Sequence, residues 1–449
     1  MYIEKDLPKP EELEIESIGS TEIESPLGLS TVYGDNVANY VEDDATVLYH
    51  TDSEIVMKQI EEHGKPLAFE KAGPRHKIHF DPKKTTAAIV TCGGLCPGIN
   101  NVIRSLVMTL HYRYGVKNIL GAQYGYQGFV DDYEMDFVKL TPEQVKEIHT
   151  KGGTILGSSR GHQDIKVIVD KMEEKNINIL FTIGGDGTLR GSHKIYEEVT
   201  RRGLDVSIIG VPKTIDNDIS YVEKTFGLET AFSVAAEAIQ GAHTEAIGAP
   251  NGIGIVKVMG RMSGFIAANS ALGLNEVNYV LIPEIPFELE GKNGLFENLE
   301  QRLKTRKHAV IVVAEGAGQD LVAKQNTEFD ASGNRRLMDI GVFLKEEIKN
   351  YFKNIKKMEV NVKYIDPSYM VRSVPANAND AIFCLKLAQN AVHAAMAGKT
   401  GMIVGRWNYQ FTHVPIKIAI SKRKEISPED PLWLSVIEST GQPMKMRSE

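Results

Sequence analysis

Apolar residues along this chain fall into short solid runs, set between longer stretches where they recur at helical spacing. Ala87–Val90, Asn118–Ala122, Ile177–Ile183 and Val206–Val211 are runs of the first kind. Apolar runs of about four to eight residues, bounded by turn residues, predict strands buried on both faces of a parallel sheet. Asn101–Tyr114 and Leu189–Arg202 carry an apolar stripe instead and predict amphipathic helices. Ile177–Val211 therefore reads as strand, glycine turn, helix, strand, which is one βαβ unit. Thr141-Pro-Glu-Gln144 predicts a capping box with proline at the first helical position.

A second series begins after Asp218. Helices are predicted over Phe226–Gln240, Ser263–Ala271 and Met338–Phe352, and strands over Gly252–Met259, Tyr279–Ile282, Ala309–Val313 and Val360–Tyr364. Residues Gln325–Asn334 read as a loop. A helix over Asp380–Ala397 and a strand near Gly401–Val404 return to the first lobe. The expected fold class is α/β, with two Rossmann-like three-layer lobes, an N-terminal extension and a C-terminal tail. The expected divisions are an extension over 1–84, a lobe over 85–227 completed by about 371–421, a lobe over 228–370, and a tail over 422–449 around Trp433.

Ligands of parallel sheets bind beyond the carboxyl ends of the strands, and several polar motifs fall there. Gly184-Gly-Asp-Gly-Thr188 follows one strand, and Pro212-Lys-Thr-Ile-Asp-Asn-Asp218 follows the next. The first suits a phosphate and a metal, and the second brings two carboxylates to the mouth of its strand. Thr91–Asn100 is a glycine-rich turn opening a helix, which places backbone N–H groups around an anion. It lacks the Gly-Lys-Ser/Thr of a Walker loop and the spacing of the dinucleotide fingerprint. Gly152–Gly161 is too rich in glycine and hydroxyls for a core segment, and its Arg160 is a candidate phosphate clamp.

Composition narrows the functional classes. A formal net charge of −8 argues against general nucleic-acid binding. No apolar stretch approaches the ~20 residues of a membrane span, and the start lacks a signal-peptide pattern. Three cysteines, Cys92, Cys96 and Cys384, are too few for a disulfide framework, lack a second ligand pair for zinc, and read as small apolar filler. The expected location is cytoplasmic.

Taken together, Gly93-Gly-Leu-Cys-Pro-Gly-Ile-Asn100, Gly184–Thr188, Pro212–Asp218, Met259-Gly-Arg261 and the Tyr369–Arg372 segment resemble the phosphofructokinase family. They occur in that family's order from about Thr85 to Val414. Gly73-Pro-Arg75, Phe80-Asp-Pro82 and Asp366-Pro-Ser-Tyr369 resemble its long ATP-using branch. Thr-Ile-Asp-Asn-Asp combined with Met-Gly-Arg is the specific part of the likeness.

The resemblance implies transfer of the γ-phosphoryl group of ATP to the 1-hydroxyl of fructose 6-phosphate, with Mg²⁺. It implies that Gly93, Arg160, Gly161, Gly185, Asp186, Gly187 and Thr188 hold the nucleotide, with Asp186 on the metal and Lys213 beside the phosphates. Asp216 is implied as general base, Thr214 as a contact to the transferred group, and Asp218 as a metal-side or orienting carboxylate. Ile215 lies within the substrate-binding motif. Met259, Gly260 and Arg261 are implied beside the substrate, with Glu315 accepting from sugar hydroxyls. Lys363, Tyr369, Met370, Val371 and Arg372 are implied at the 6-phosphate. A homotetramer or homodimer is implied as well.

The chain departs from the bacterial pattern in having Gly252, Lys363 and Tyr369 where arginine, arginine and histidine are usual. These changes put bacterial-style allosteric control and cross-subunit phosphate ligands in doubt. The alternatives left open are a pyrophosphate-dependent enzyme, an NAD-kinase-like protein and a silent nucleotide-binding regulatory subunit.

Overall fold

The computed structural model describes residues 7–322 and 336–448; the loop read over Gln325–Asn334 lies outside the described residues. The chain divides into two compact units. The first comprises residues up to Thr214, Ile219–Phe226 and Pro375–Arg423, and the second Ile215–Asp218, Gly227–Val374 and the chain from Lys424.

In chain order the longer strands are β1 (Thr46–Leu48), β2 (Ala68–Lys71), β3 (Thr86–Thr91), β4 (Asn118–Ala122), β5 (Phe137–Lys139), β6 (Ile179–Gly184) and β7 (Ser207–Pro212), all in the first unit. The second unit contributes β8 (Gly252–Val258), β9 (Tyr279–Leu281), β10 (His308–Ala314) and β11 (Asn361–Ile365), and the first resumes with β12 (Met402–Trp407) and β13 (Gln410–Pro415).

The first sheet runs β1-β2-β13-β12-β7-β6-β3-β4-β5. Its centre, β12 through β4, is parallel, and antiparallel strands flank it on both sides. Every residue of β3, β6 and β7 is buried, which is why these strands appear in the sequence as unbroken apolar runs. Ala88, Val90, Leu180 and Ile208 share a core with Ile168, Val169, Ile195 and Val199 from the helices Ile165–Glu174 and Asp186–Arg202. Alternate strand residues point the opposite way, toward Ala378–Met396, which packs on β7 and on the helix Ile99–Met108. The N-terminal segment joins this unit. β2 pairs with β13, and Leu13, Tyr49, Leu67 and Phe69 pack with Ile403, Val414 and Ile416.

The second sheet, β9-β10-β8-β11, is wholly parallel. Ile253, Ile255, Leu281, Ile311 and Val313 pack on Leu299 and Leu303 of the helix Leu295–Arg306 and on Leu344 and Ile348 of the helix Ile340–Asn354.

The α/β class holds, and most elements lie within a few residues of their predicted limits. The Thr141 capping box forms, with Gln144 N donating to Thr141 Oγ1 and Thr141 N to Gln144 Oε1. The helix after the Gly-Gly-Asp-Gly turn starts at Asp186 rather than Leu189, so half of that motif is helix. The helix predicted through Tyr114 is α-helical only to Met108 and closes in a π turn before left-handed Gly115.

Candidate active site

In the first unit the polar motifs converge at the carboxyl ends of β3, β6 and β7. A Cβ on Gly184 would lie 2.2 Å from Thr188 Oγ1. Glycine at the strand end is therefore what lets the first helical turn fold back over β6. Gly185 is the N-cap, and Asp186, Gly187 and Thr188 form the opening turn, where backbone N–H groups and the helix dipole favour an anion. Around Gly187 the space is open, because a Cβ there would meet nothing within 4 Å. Asp186 accepts from Arg190 Nε at 2.9 Å, one turn along the same helix.

The turn after β3 is stitched to the hydroxyl-rich loop. Gly93, at φ +86°, donates its N–H to Ser159 O at 3.0 Å and accepts from Ser158 Oγ at 2.6 Å. Thr91 Oγ1 donates to Gly157 O at 2.6 Å. These bonds bring Arg160 and left-handed Gly161, both exposed, next to the Gly93 turn. Lys213 is buried at the end of β7; its N–H donates to Gly184 O at 2.9 Å and its Nζ to Gly94 O at 2.6 Å. Thr214 O accepts from Thr225 Oγ1 at 2.7 Å. Gly93, Lys213 and Gly185–Thr188 thus share one cradle, with Arg160 on the loop bonded to it.

In the second unit, Asp216 is partly exposed between buried Ile215 and Asn217. Asn217 takes φ +56°, which asparagine tolerates better than most residues. Ser263 Oγ donates to Asp216 O at 3.0 Å, and Asp218 O accepts from Lys424 N at 3.1 Å. The turn after β8 is strained: Gly260 sits at φ +137° and Arg261 at φ +49°. A non-glycine residue in that region costs about 1–3 kcal/mol and persists only where its surroundings hold it. Glu315 provides the hold, since its Oε1 accepts from Arg261 N at 2.9 Å while its own N–H donates to Val258 O at 2.9 Å. A Cβ on Gly316 would fall 1.9 Å from Arg261 O, so only glycine fits there. Asp216, Met259–Arg261 and Glu315 are therefore tied together through Ser263 and Arg261.

The segment after β11 is looser. Lys363 lies 3.7 Å from Glu245 Oε2. Tyr369 and Met370 are 75% and 64% exposed, available to a ligand rather than to the core. Val371 is buried, and the Arg372 guanidinium lies 4.8 Å from the Tyr369 ring centroid. Arg372 Nε is buried with no hydrogen-bond partner among the described residues.

No cluster of three His, Cys, Asp or Glu side chains able to hold a metal occurs among the described residues. A single carboxylate such as Asp186 suits Mg²⁺, which keeps several waters and is bound chiefly through substrate phosphates. The three cysteines are buried and form no disulfide, and burial pushes the Cys92 thiol up to about 12, which disfavours the nucleophilic thiolate. No helix among the described residues is long and apolar enough to cross a membrane.

Sequence reasoning missed three supporting side chains: Arg190, Ser158 and Ser263. Arg190 was signalled by its i+4 spacing from Asp186, and Ser158 by the hydroxyl-rich loop. Ser263 acts across the fold and left no local signal.

A family model described as phosphofructokinase matches residues 86–395. The chain is 51% identical over 388 residues to the ATP-dependent 6-phosphofructokinase of Borreliella burgdorferi, covering 85% of this chain and 87% of that one. It is 44% identical over 443 residues to the ATP-dependent 6-phosphofructokinase of Amycolatopsis methanolica, covering 96% and 95%. Against that of Trypanosoma brucei brucei it is 48% identical over 377 residues, covering 84% and 77%. Among solved structures, a pyrophosphate-dependent phosphofructokinase from Marinobacter aquaeolei superposes with a TM-score of 0.65 at 19% identity, over 79% of this chain and 91% of that one. The T-state phosphofructokinase of Pichia pastoris gives 0.62 at 21% identity, over 83% and 38%. Likeness at that identity concerns the fold alone.

Proposed function

The chain belongs to the phosphofructokinase family, and on that premise we propose that it is an ATP-dependent 6-phosphofructokinase. It transfers the γ-phosphoryl group of ATP to the 1-hydroxyl of D-fructose 6-phosphate, giving fructose 1,6-bisphosphate and ADP in glycolysis. The observation that carries this reading is the 44–51% identity, along most of the chain, to relatives named for that activity. The open space at Gly187 supports a nucleotide as donor.

Phosphoryl transfer asks a protein for positioning and charge stabilisation more than for covalent chemistry. The N-terminal turn Gly185–Thr188 and the Gly93 turn offer backbone N–H groups to the phosphates, and Arg160 and Lys213 supply cations. Asp186 would hold Mg²⁺, which when bound neutralises phosphate charge. Asp216 takes the proton of the 1-hydroxyl as it attacks, a role worth roughly 10²–10⁴-fold in rate. Asp218 orients that carboxylate's surroundings, and Thr214 contacts the migrating group. Arg261 places positive charge beside the substrate, in a backbone conformation held by Glu315, whose carboxylate also accepts from sugar hydroxyls. Ile215 and Met259–Gly260 wall the sugar. Lys363 and the Tyr369, Met370, Val371 and Arg372 segment receive the 6-phosphate.

The protein functions as a homotetramer or homodimer in the cytoplasm. Purified protein given fructose 6-phosphate, ATP and Mg²⁺ is expected to form fructose 1,6-bisphosphate and ADP in equal amounts. Absence of turnover with either ATP or pyrophosphate would leave only a silent nucleotide-binding subunit, and phosphorylation of NAD in place of the sugar would make it an NAD kinase.

A further inference from the structure

Lys257 belongs to β8, the strand that ends at the Met259–Arg261 turn, yet none of the roles above uses it. Its side chain is 12% exposed, and its Nζ lies 3.0 Å from Asp339 Oδ2 and 2.9 Å from Asp366 Oδ2. Both carboxylates divide their oxygens in the same way. Asp339 gives Oδ2 to Lys257, while its Oδ1 caps the helix Ile340–Asn354 by accepting from Gly341 N at 3.0 Å and Val342 N at 3.1 Å. Asp366 gives Oδ2 to Lys257, while its Oδ1 accepts from Ser368 N at 3.0 Å and from the Ser368 hydroxyl at the start of the helix Ser368–Ser373. Tyr364, from β11, donates its hydroxyl to Asp339 at 2.9 Å.

A half-buried lysine between two carboxylates is a poor means of gaining stability, because desolvating the charges offsets most of their attraction. It is a good means of fixing geometry, because three short polar contacts admit one arrangement. The arrangement fixed here is the position of Asp366 against β8. The helix that follows Asp366 carries Tyr369, Met370 and Arg372; it packs on the helix Leu228–Ile247 through a buried face that includes Val371, while Tyr369 and Met370 stay exposed and Arg372 Nε has no hydrogen-bond partner among the described residues.

We propose that Lys257 is a positioning residue for the substrate 6-phosphate, holding the Tyr369–Arg372 segment through Asp366 in register with the Met259–Arg261 turn. The inference rests on the function proposed above. It assigns Lys257 no contact with either substrate.

The test uses full-length Lys257→Met, Lys257→Arg, Asp366→Asn and Asp339→Asn, with steady-state kinetics in both substrates and thermal unfolding. Lys257→Met is expected to raise KM for fructose 6-phosphate by about tenfold or more while KM for ATP and kcat stay within about twofold. Lys257→Arg should return KM to within about threefold of wild type, and the Lys257→Met/Asp366→Asn double variant should be no worse than the worse single, as expected of one coupled unit. Asp339→Asn should lower Tm without raising that KM. Should Lys257→Met not fold, Asp366→Asn carries the test, since it leaves Lys257 paired with Asp339. An unmoved KM for fructose 6-phosphate in an active wild-type background overturns the role of Lys257 alone. So does a parallel rise in KM for ATP, or an Asp339→Asn effect as large as that of Asp366→Asn. A wild type that turns over no fructose 6-phosphate overturns the underlying function, and this inference with it.

Discussion

Lys213 Nζ donates to the carbonyl oxygen of Gly94 across 2.6 Å, and a Cβ on Gly93 would stand only 3.7 Å from the same nitrogen. The end of β7 and the turn after β3 are thereby held together by a buried cation at the wall of the proposed phosphate cradle. The family resemblance implies lysine at this position in pyrophosphate users and glycine in bacterial ATP users. A cation here can neutralise migrating phosphoryl charge from either donor. The residue proposed to discriminate is Gly187, where the family resemblance implies aspartate in pyrophosphate users.

A Cβ at Gly187 meets nothing within 4 Å, so Gly187→Asp should fold and change only the charge and bulk facing the nucleotide. An unpaired carboxylate opposing phosphate is expected to cost at least ~2 kcal/mol in kcat/KM for ATP. Pyrophosphate use need not appear, because the rest of the cradle stays as it is. Kinetics of the variant check this, and undiminished kcat/KM for ATP would remove Gly187 from the donor site.

Asp216→Asn keeps the size and polarity of the side chain and leaves the Ser263 bond to the Asp216 carbonyl intact. It removes the proton acceptor. The expected loss in kcat is roughly two to four decades, with KM for fructose 6-phosphate changed far less. A variant retaining more than about a tenth of kcat, with chemistry rate-limiting, would falsify the assignment of the base.

Glu70 and His413 face each other across β2 and β13, with Glu70 Oε1 3.0 Å from His413 Nδ1 and Oε2 3.0 Å from Lys399 Nζ. Burial alone would raise the Glu70 carboxyl, but the His413 and Lys399 contacts outweigh it and bring it from 4.5 down to about 2. Burial lowers the His413 imidazole against the opposing pull of the Glu70 carboxylate, which Lys399 and Arg75 also face. A depressed carboxyl contributes stability that is full above its unfolded value and is lost as pH falls through its folded value. The Tm deficit of Glu70→Gln relative to wild type should therefore be largest above pH 4.5 and shrink as pH falls toward about 2. A deficit constant across that window would contradict the coupling.

How much of this was legible in the sequence follows from where each constraint lies. β3, β6 and β7 were readable because strands buried on both faces must be apolar throughout. β1, β2 and β13 were not, because they are only partly buried and their sequences show no unbroken apolar run. Asp216, Asp186 and Arg261 stood out through motifs contiguous in the chain. Lys257 did not: its partners Asp339 and Asp366 come from distant segments, and only the fold shows that one lysine serves both. The helix start at Asp186 was misplaced because glycine at position 187 reads as a turn, whereas packing of Thr188 on Gly184 favours the helical turn.

Assembly is expected as well. Light scattering at working concentrations should give a particle of at least two 49.7 kDa chains. A stable monomer with full activity would contradict it.

The most direct measurement is the ratio of kcat/KM for ATP to kcat/KM for pyrophosphate, taken on the wild-type protein with fructose 6-phosphate at saturating Mg²⁺. The expected result is strong activity with ATP and little with pyrophosphate, in keeping with the open space at Gly187. A preference for pyrophosphate would contradict it and return the donor assignment to Lys213.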